Sequence, residues 1–277
     1  MLIVDSQVHI WENAKLGTHH RQISTYSKDD LLKEMDEAGV DAGIICPPAS
    51  LYQVNDLALE VARQHPDRFA VMGWFPLDEP ESRERIKSWK QRPGLYGLRW
   101  ALNQPHQQSW WTDGTMDWLW PAAEREGWPL GLLAGEHLEV VGKVAERHPR
   151  LRLMIDHLAR IRMQKDDEAF ANLSELLALA KYPNVAVKMS GAPSYSSEPY
   201  PFRNIHNYLR QIFDAFGPAR CFWGTDITRM PCSYRECVTM FTEELPWLKG
   251  RDLELVMGRA LCDWIGWNPP AAAKAKA

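Results

Sequence analysis

The chain has 277 residues, 45% of them apolar, with 32 Lys and Arg against 36 Asp and Glu and a formal net charge of −4. The length is close to the roughly 250 residues of one α/β barrel, and the acidic balance excludes the basic face that nucleic-acid binding needs. No run of about 18 apolar residues occurs, and Met1-Leu2-Ile3-Val4-Asp5 enters a strand pattern without the parts of a signal peptide, so a cytoplasmic protein with no membrane span is expected.

Residues 2–10 read as a first strand. Ser27, with Asp30 three residues on, has the form of a capping box; Leu31, Leu32, Met35 and Ala38 recur at helical spacing, and Gly39 ends the helix. Residues 40–46 are the second strand, and Val54, Leu57, Ala58, Val61 and Ala62 mark the helix after it. Strand three spans 69–75, with a helix over 80–90, and strand four spans 95–100. Pro121 lies within the next helical pattern, 116–126, so that helix is kinked or begins near the proline. Strands five and six span 128–133 and 151–155, separated by a helix carrying Leu138, Val141, Val144 and Ala145. A helix over 170–180 leads to strand seven, 185–189. A helix through Leu209 and Ile212 leads to strand eight at 221–223, and two further helices carry Val238 and Phe241, then Leu253 to Leu261. Eight strands alternating with helices predict one (β/α)8 TIM-like barrel over 1–268, with a disordered Ala/Lys-rich tail at 269–277.

In such a barrel chemistry belongs at the C-terminal ends of the strands. Polar residues collect there: Asp5, Gln7 and His9 alternate along the first strand, Arg99 ends the fourth, Asp156 and His157 the sixth, Lys188 and Ser190 the seventh, and Asp226 follows the eighth. A strand interior has no use for an unpartnered charge, whose burial costs several kcal/mol. Asp5 reads as a catalytic group or a buried loop anchor, and Lys188 as a substrate partner or a structural ion pair. By the period of two, Asp5, Gln7 and His9 share one side, while Asp156 faces away from His157. His19, His20, His65, His106, His137 and His148 read as solvated, although the His19-His20-Arg21 loop could reach over the mouth. The five cysteines form no C-x-x-C pair, which argues against a zinc site or a disulfide framework. The tryptophans near Trp110 read first as core, and as an interface or a lid second.

Val4-Asp5-Ser6-Gln7-Val8-His9-Ile10-Trp11, Leu98-Arg99, Ile155-Asp156-His157-Leu158, Val187-Lys188-Met189-Ser190-Gly191 and Trp223-Gly224-Thr225-Asp226 together resemble the amidohydrolase superfamily. The resemblance is to the amidohydrolase-2 branch, which contains lactonases of the 2-pyrone-4,6-dicarboxylate and fuconolactone types. The family's first motif, D-x-H-x-H, has Gln7 here in place of its first histidine. An amide oxygen binds zinc far more weakly than imidazole, and no bridging Lys or Glu ends the fourth strand, which argues against a binuclear metal site.

The resemblance implies a metal-independent hydrolase that opens a lactone or similar cyclic ester of a small carboxylated substrate. Asp226 is then general base, His157, His9 and Gln7 polarise the carbonyl, Arg99, Lys188 and Arg229 hold the carboxylate, and Tyr195 and Trp11 border the pocket. Two alternatives stand beside it. One is a metal-dependent hydrolase or decarboxylase with one Zn2+ or Mn2+ on His9, His157 and Asp226. The other is a non-catalytic barrel that binds a small carboxylate. A homo-oligomer is compatible with either.

Overall fold

The computed structural model describes residues 1–48, 51, 55–160 and 163–269. Eight strands follow one another in a single sheet: β1 (Val4–Val8), β2 (Ala42–Ile45), β3 (Phe69–Gly73), β4 (Leu95–Trp100), β5 (Leu130–Leu132), β6 (Leu153–Ile155), β7 (Val185–Ser190) and β8 (Cys221–Gly224). Every neighbouring pair from β1 to β8 is parallel. β8 returns to β1, where Asp226 N donates to Gln7 O at 2.8 Å and Thr225 N to Asp5 Oδ1 at 2.9 Å. A carboxylate thus stands in for part of the last ladder and nearly closes the barrel. Gly224 is required at this seam, because a Cβ there would meet the Ser6 hydroxyl and backbone.

The helices are α1 (Lys28–Ala38), α2 (Asn55–Gln64), α3 (Ser82–Trp89), α4 (Leu119–Glu126), α5 (Leu138–Arg147), α6 (Asp166–Ala169), α7 (Leu173–Ala178), α8 (His206–Phe216), α9 (Tyr234–Thr242), α10 (Gly250–Glu254) and α11 (Ala260–Ile265). The Ser27–Asp30 capping box forms, and Gly39 closes α1 in the left-handed conformation at φ 77°. Pro121 is the third residue of α4, in the first turn, where its missing N–H costs nothing. The single helix expected over 170–180 is instead α6 and α7, and the break is held by Asn172, whose Nδ2 donates to Gly135 O and Ala159 O at 2.9 and 3.0 Å. Several strands are shorter than their apolar runs. The flanking residues, such as Ile10 and Trp11, are buried in the loops that follow, so apolarity outlasts the ladder. Val54 and all of the expected tail except Pro269 lie outside the described residues.

The apolar interior has two parts. Val4, Ile44, Ala70, Met72, Met154, Ala186 and Phe222 pack with Ala260, Leu261 and Ile265 of α11 into one cluster, the filled lower barrel. A larger shell, including Leu31, Ile86, Trp128, Leu176 and Ile212, joins the strands to the helices. Trp110, Trp111 and Trp120 are buried in that shell. Among the described residues no helix is long and apolar enough to cross a membrane.

Candidate active site

Above the apolar plug the barrel axis becomes polar. Lys188, fully buried on β7, places Nζ 3.0 Å from Asp156 Oδ1 and donates to Gln7 Oε1 at 3.0 Å. Arg99 Nε donates to Asp156 Oδ2 at 2.7 Å. Asp156 therefore joins β4 and β7 across the interior. Burial alone would raise its pKa, but Lys188 and Arg99 hold it well below the usual carboxylate range.

This corrects the expectation that Asp156 faces away from His157. Met154 points into the barrel, so the period of two carries Asp156 inward as well. His157 reaches the same space because the chain leaves the strand there. His157, Leu158 and Ala159 all have left-handed backbones, with φ 51°, 58° and 55°. Such conformations cost about 1–2 kcal/mol per non-glycine residue and cluster where function requires them. Asp226 is held the same way, at φ 55° and ψ 50°. Both residues expected to do chemistry thus enter the mouth from strained turns at strand ends.

Asp5 does not share a side with Gln7 and His9 either, because the register of β1 shifts between Asp5 and Val8. Asp5 turns into the β1–β8 seam, accepting from Thr225 N, Thr225 Oγ1, Gln7 N and Tyr234 Oη at 2.5–2.9 Å. Burial pushes its carboxyl up to about 6 in spite of those donors. It anchors the residue before Asp226. Gln7 and His9 turn inward.

Three groups meet around the Asp226 carboxylate. His9 Nε2 is 3.3 Å from Oδ1, His157 Nε2 is 3.8 Å from Oδ2, and Arg229 Nη1 donates to Oδ2 at 3.1 Å. Burial favours the neutral acid, yet His9, Arg229 and His157 hold Asp226 well below its ordinary pKa. Burial pulls His157 down to about 3, so its imidazole is neutral near pH 7.

The outer partners fix different tautomers for the two histidines. His9 Nδ1 lies 2.5 Å from Cys46 O, and a carbonyl only accepts, so Nδ1 carries a hydrogen and Nε2 is the nitrogen turned toward Asp226. Gln7 agrees: Lys188 and Cys46 Sγ donate to its Oε1, which turns its Nε2 toward His9 Nε2 at 3.4 Å. Ser190 Oγ, fully buried, lies 2.9 Å from His157 Nδ1 and spends its hydroxyl hydrogen there, leaving Nε2–H on His157. His9 thus turns Nε2 to Asp226 Oδ1. His157 presents a donor.

These groups border a cavity of about 200 Å3, along with Arg99, Ala101, Asn103, Leu133 and Pro48. That is below the roughly 300–1,000 Å3 of sites for drug-sized ligands, so a small molecule is the fit. The loop after β1 does reach over the mouth. Arg21 N donates to Thr228 O at 2.8 Å, His20 Nδ1 lies 2.8 Å from Thr228 Oγ1, and the His20 ring stands edge-on to His9 with centroids 5.4 Å apart. His20 is therefore not solvated; burial pulls its pKa down to about 3. Only the polar His19-His20-Arg21 run hinted at this.

The other expected site residues are distributed unevenly. Arg99 and Arg229 line the cavity. Gln7 and Lys188 lie beneath it, fully buried and bonded to each other. Tyr195 is buried beside Arg229, and Trp11 is a fully buried brace donating to Ile23 O.

His9, His157 and Asp226 are chemically suitable metal donors, and the Arg229 guanidinium also rests on Asp226.

The chain is similar to several known proteins. The sequence is 25% identical over 232 residues to an L-fucono-1,5-lactonase of Burkholderia ambifaria, covering 80% of this chain and 79% of the relative. The fold superposes with a TM-score of 0.82 on an amidohydrolase from Burkholderia multivorans with bound zinc, at 23% identity and covering 97% of this chain and 100% of that one. It superposes with a TM-score of 0.73 on a structure named as a putative 2-pyrone-4,6-dicarboxylic acid hydrolase from Pseudomonas putida, at 20% identity and covering 96% and 98%. The amidohydrolase family model matches residues 4–276, and the chain belongs to the amidohydrolase family of hydrolases.

Proposed function

We propose that this enzyme hydrolyses a lactone of a small, hydroxylated acid, with Asp226 and His9 as a joint proton acceptor and without a resident metal. The observation that carries this reading is the buried Asp226 carboxylate at the cavity mouth, with His9 Nε2 3.3 Å from Oδ1 and His157 Nε2 3.8 Å from Oδ2. A water molecule entering the cavity supplies the proton.

Water attacks the lactone carbonyl carbon and gives its proton to the Asp226–His9 pair. The oxygen that becomes negative is met by His157 Nε2–H, with the Arg99 and Arg229 guanidinium groups nearby. Three cations, Arg99, Lys188 and Arg229, face two carboxylates, Asp156 and Asp226, so the mouth suits an additional negative charge. The ring C–O bond then breaks, and the acceptor pair returns the proton to the leaving alkoxide. Positioned proton transfer contributes about 10²–10⁴-fold, and each donor aimed at the oxyanion about 10²–10³-fold. The lactonase relative and the pyrone hydrolase neighbour support the reaction class.

The test is hydrolysis of a panel of five- and six-membered sugar lactones by the wild type and Asp226→Asn. A loss of about 10²–10⁴-fold in kcat is expected, with the fold intact by circular dichroism. Near-wild-type turnover by the variant would reject Asp226 as the base.

A further inference from the structure

A second cavity, of about 450 Å3, adjoins the first and shares Ala101, Asn103 and Leu133 with it. Arg160, His137, Trp111 and Gln108 also line it. Arg160 differs from the other arginines at this end of the barrel. Arg99 is paired with Asp156 and Arg229 with Asp226. Arg160 is 97% buried, since its exposure is 3%, and among the described residues it has no carboxylate partner. Its Nε donates to Leu158 O and its Nη1 to Ala169 O at 3.3 Å, and the guanidinium lies 4.7 Å from the Phe170 ring centre. Among the described residues its Nη2, itself buried, has no hydrogen-bond partner.

Backbone carbonyls and an aromatic face thus fix the guanidinium in place while leaving its charge uncompensated. Burial lowers its pKa only to about 10, so it remains a cation at neutral pH. A buried cation without a counterion is costly, and a ligand anion in the cavity that Arg160 lines would reduce that cost. Arg160 is tied to the reaction centre through its own backbone, whose N–H donates to His157 O at 3.0 Å. Between the two cavities stands Asn103, whose buried Oδ1 also lacks a donor and would accept from a ligand hydroxyl. His137, stacked on Trp111 with centroids 5.0 Å apart, supplies a flat wall.

We infer that the second cavity is a carboxylate subsite: the substrate is a hydroxylated lactone whose ring occupies the first cavity and whose ionised arm passes Asn103 to reach Arg160. The lactone ring rests on the function proposed above, whereas the anion subsite does not.

Binding and turnover therefore separate the two. Glucarate and gluconate are matched six-carbon polyols with two carboxylates and one, and their affinities can be measured by titration calorimetry on wild type, Arg160→Met and Gln108→Asp. Glucarate is expected to bind the wild type about tenfold or more tightly than gluconate, and Arg160→Met to abolish that preference while leaving gluconate unchanged. Gln108 is exposed at the cavity edge, so Gln108→Asp tests the charge without disturbing the buried arginine; it is expected to weaken glucarate selectively. Equal affinities in the wild type, or a glucarate preference that survives either substitution, would overturn the subsite. A preserved preference in the wild type with no turnover of any lactone would instead reject the hydrolytic reading and leave the subsite standing.

Discussion

Two buried polar clusters lie side by side in the barrel, and they are finished differently. Around Asp156, each oxygen has an ion-pair partner, Lys188 on one side and Arg99 on the other. Around Asp226, one oxygen takes Arg229 and the other faces His9 Nε2. The first cluster is closed and lies against the apolar plug. The second opens on the cavity. The difference separates a carboxylate that joins strands from one that can take a proton from water, although both are buried and both are held far below their ordinary pKa.

Substitutions that remove each carboxylate should sharpen the contrast. Asp226→Asn should cost activity and little stability, since Asn is well tolerated in the left-handed conformation that residue 226 adopts. Asp156→Ala should do the reverse. It strands Lys188 and Arg99 without a counterion, and unfolding by urea should show a loss of about 3–5 kcal/mol. If the two variants lost stability equally, the division into a closed and an open cluster would fail.

Asp5 gives a smaller effect with a defined sign. Its folded pKa of about 6 is above the ordinary 3.8. The stability it contributes is therefore fully present below about pH 3.8 and is lost as pH rises through about 6. Thermal midpoints of the wild type should fall relative to those of Asp5→Asn across that window. Parallel curves would mean that the four hydrogen bonds to Asp5 offset its burial.

Much of this was legible in the chain, and the exceptions have physical causes. The alternation of apolar strands and amphipathic helices, the Ser27 cap and the strand-end polar residues are local patterns, so eight strands and the Asp226, His157 and His9 positions followed from them. Asp156 was misplaced because three left-handed residues break the strand period directly after it. His20 was missed because its burial depends on a loop folding back onto Thr228, a contact 208 residues apart in sequence. Arg160 gave no signal at all. Its isolation appears only when the carboxylates of neighbouring strands are seen to be taken by other cations.

The central claim is that the Asp226–His9 pair itself receives the proton. It is tested most directly by elemental metal analysis of protein purified without added metal, paired with lactonase activity before and after a strong chelator. Well under one equivalent of metal and unchanged activity is the predicted result. Near one equivalent of metal, with activity lost on chelation and restored by Zn2+ or Mn2+, would contradict it and make His9, His157 and Asp226 ligands instead.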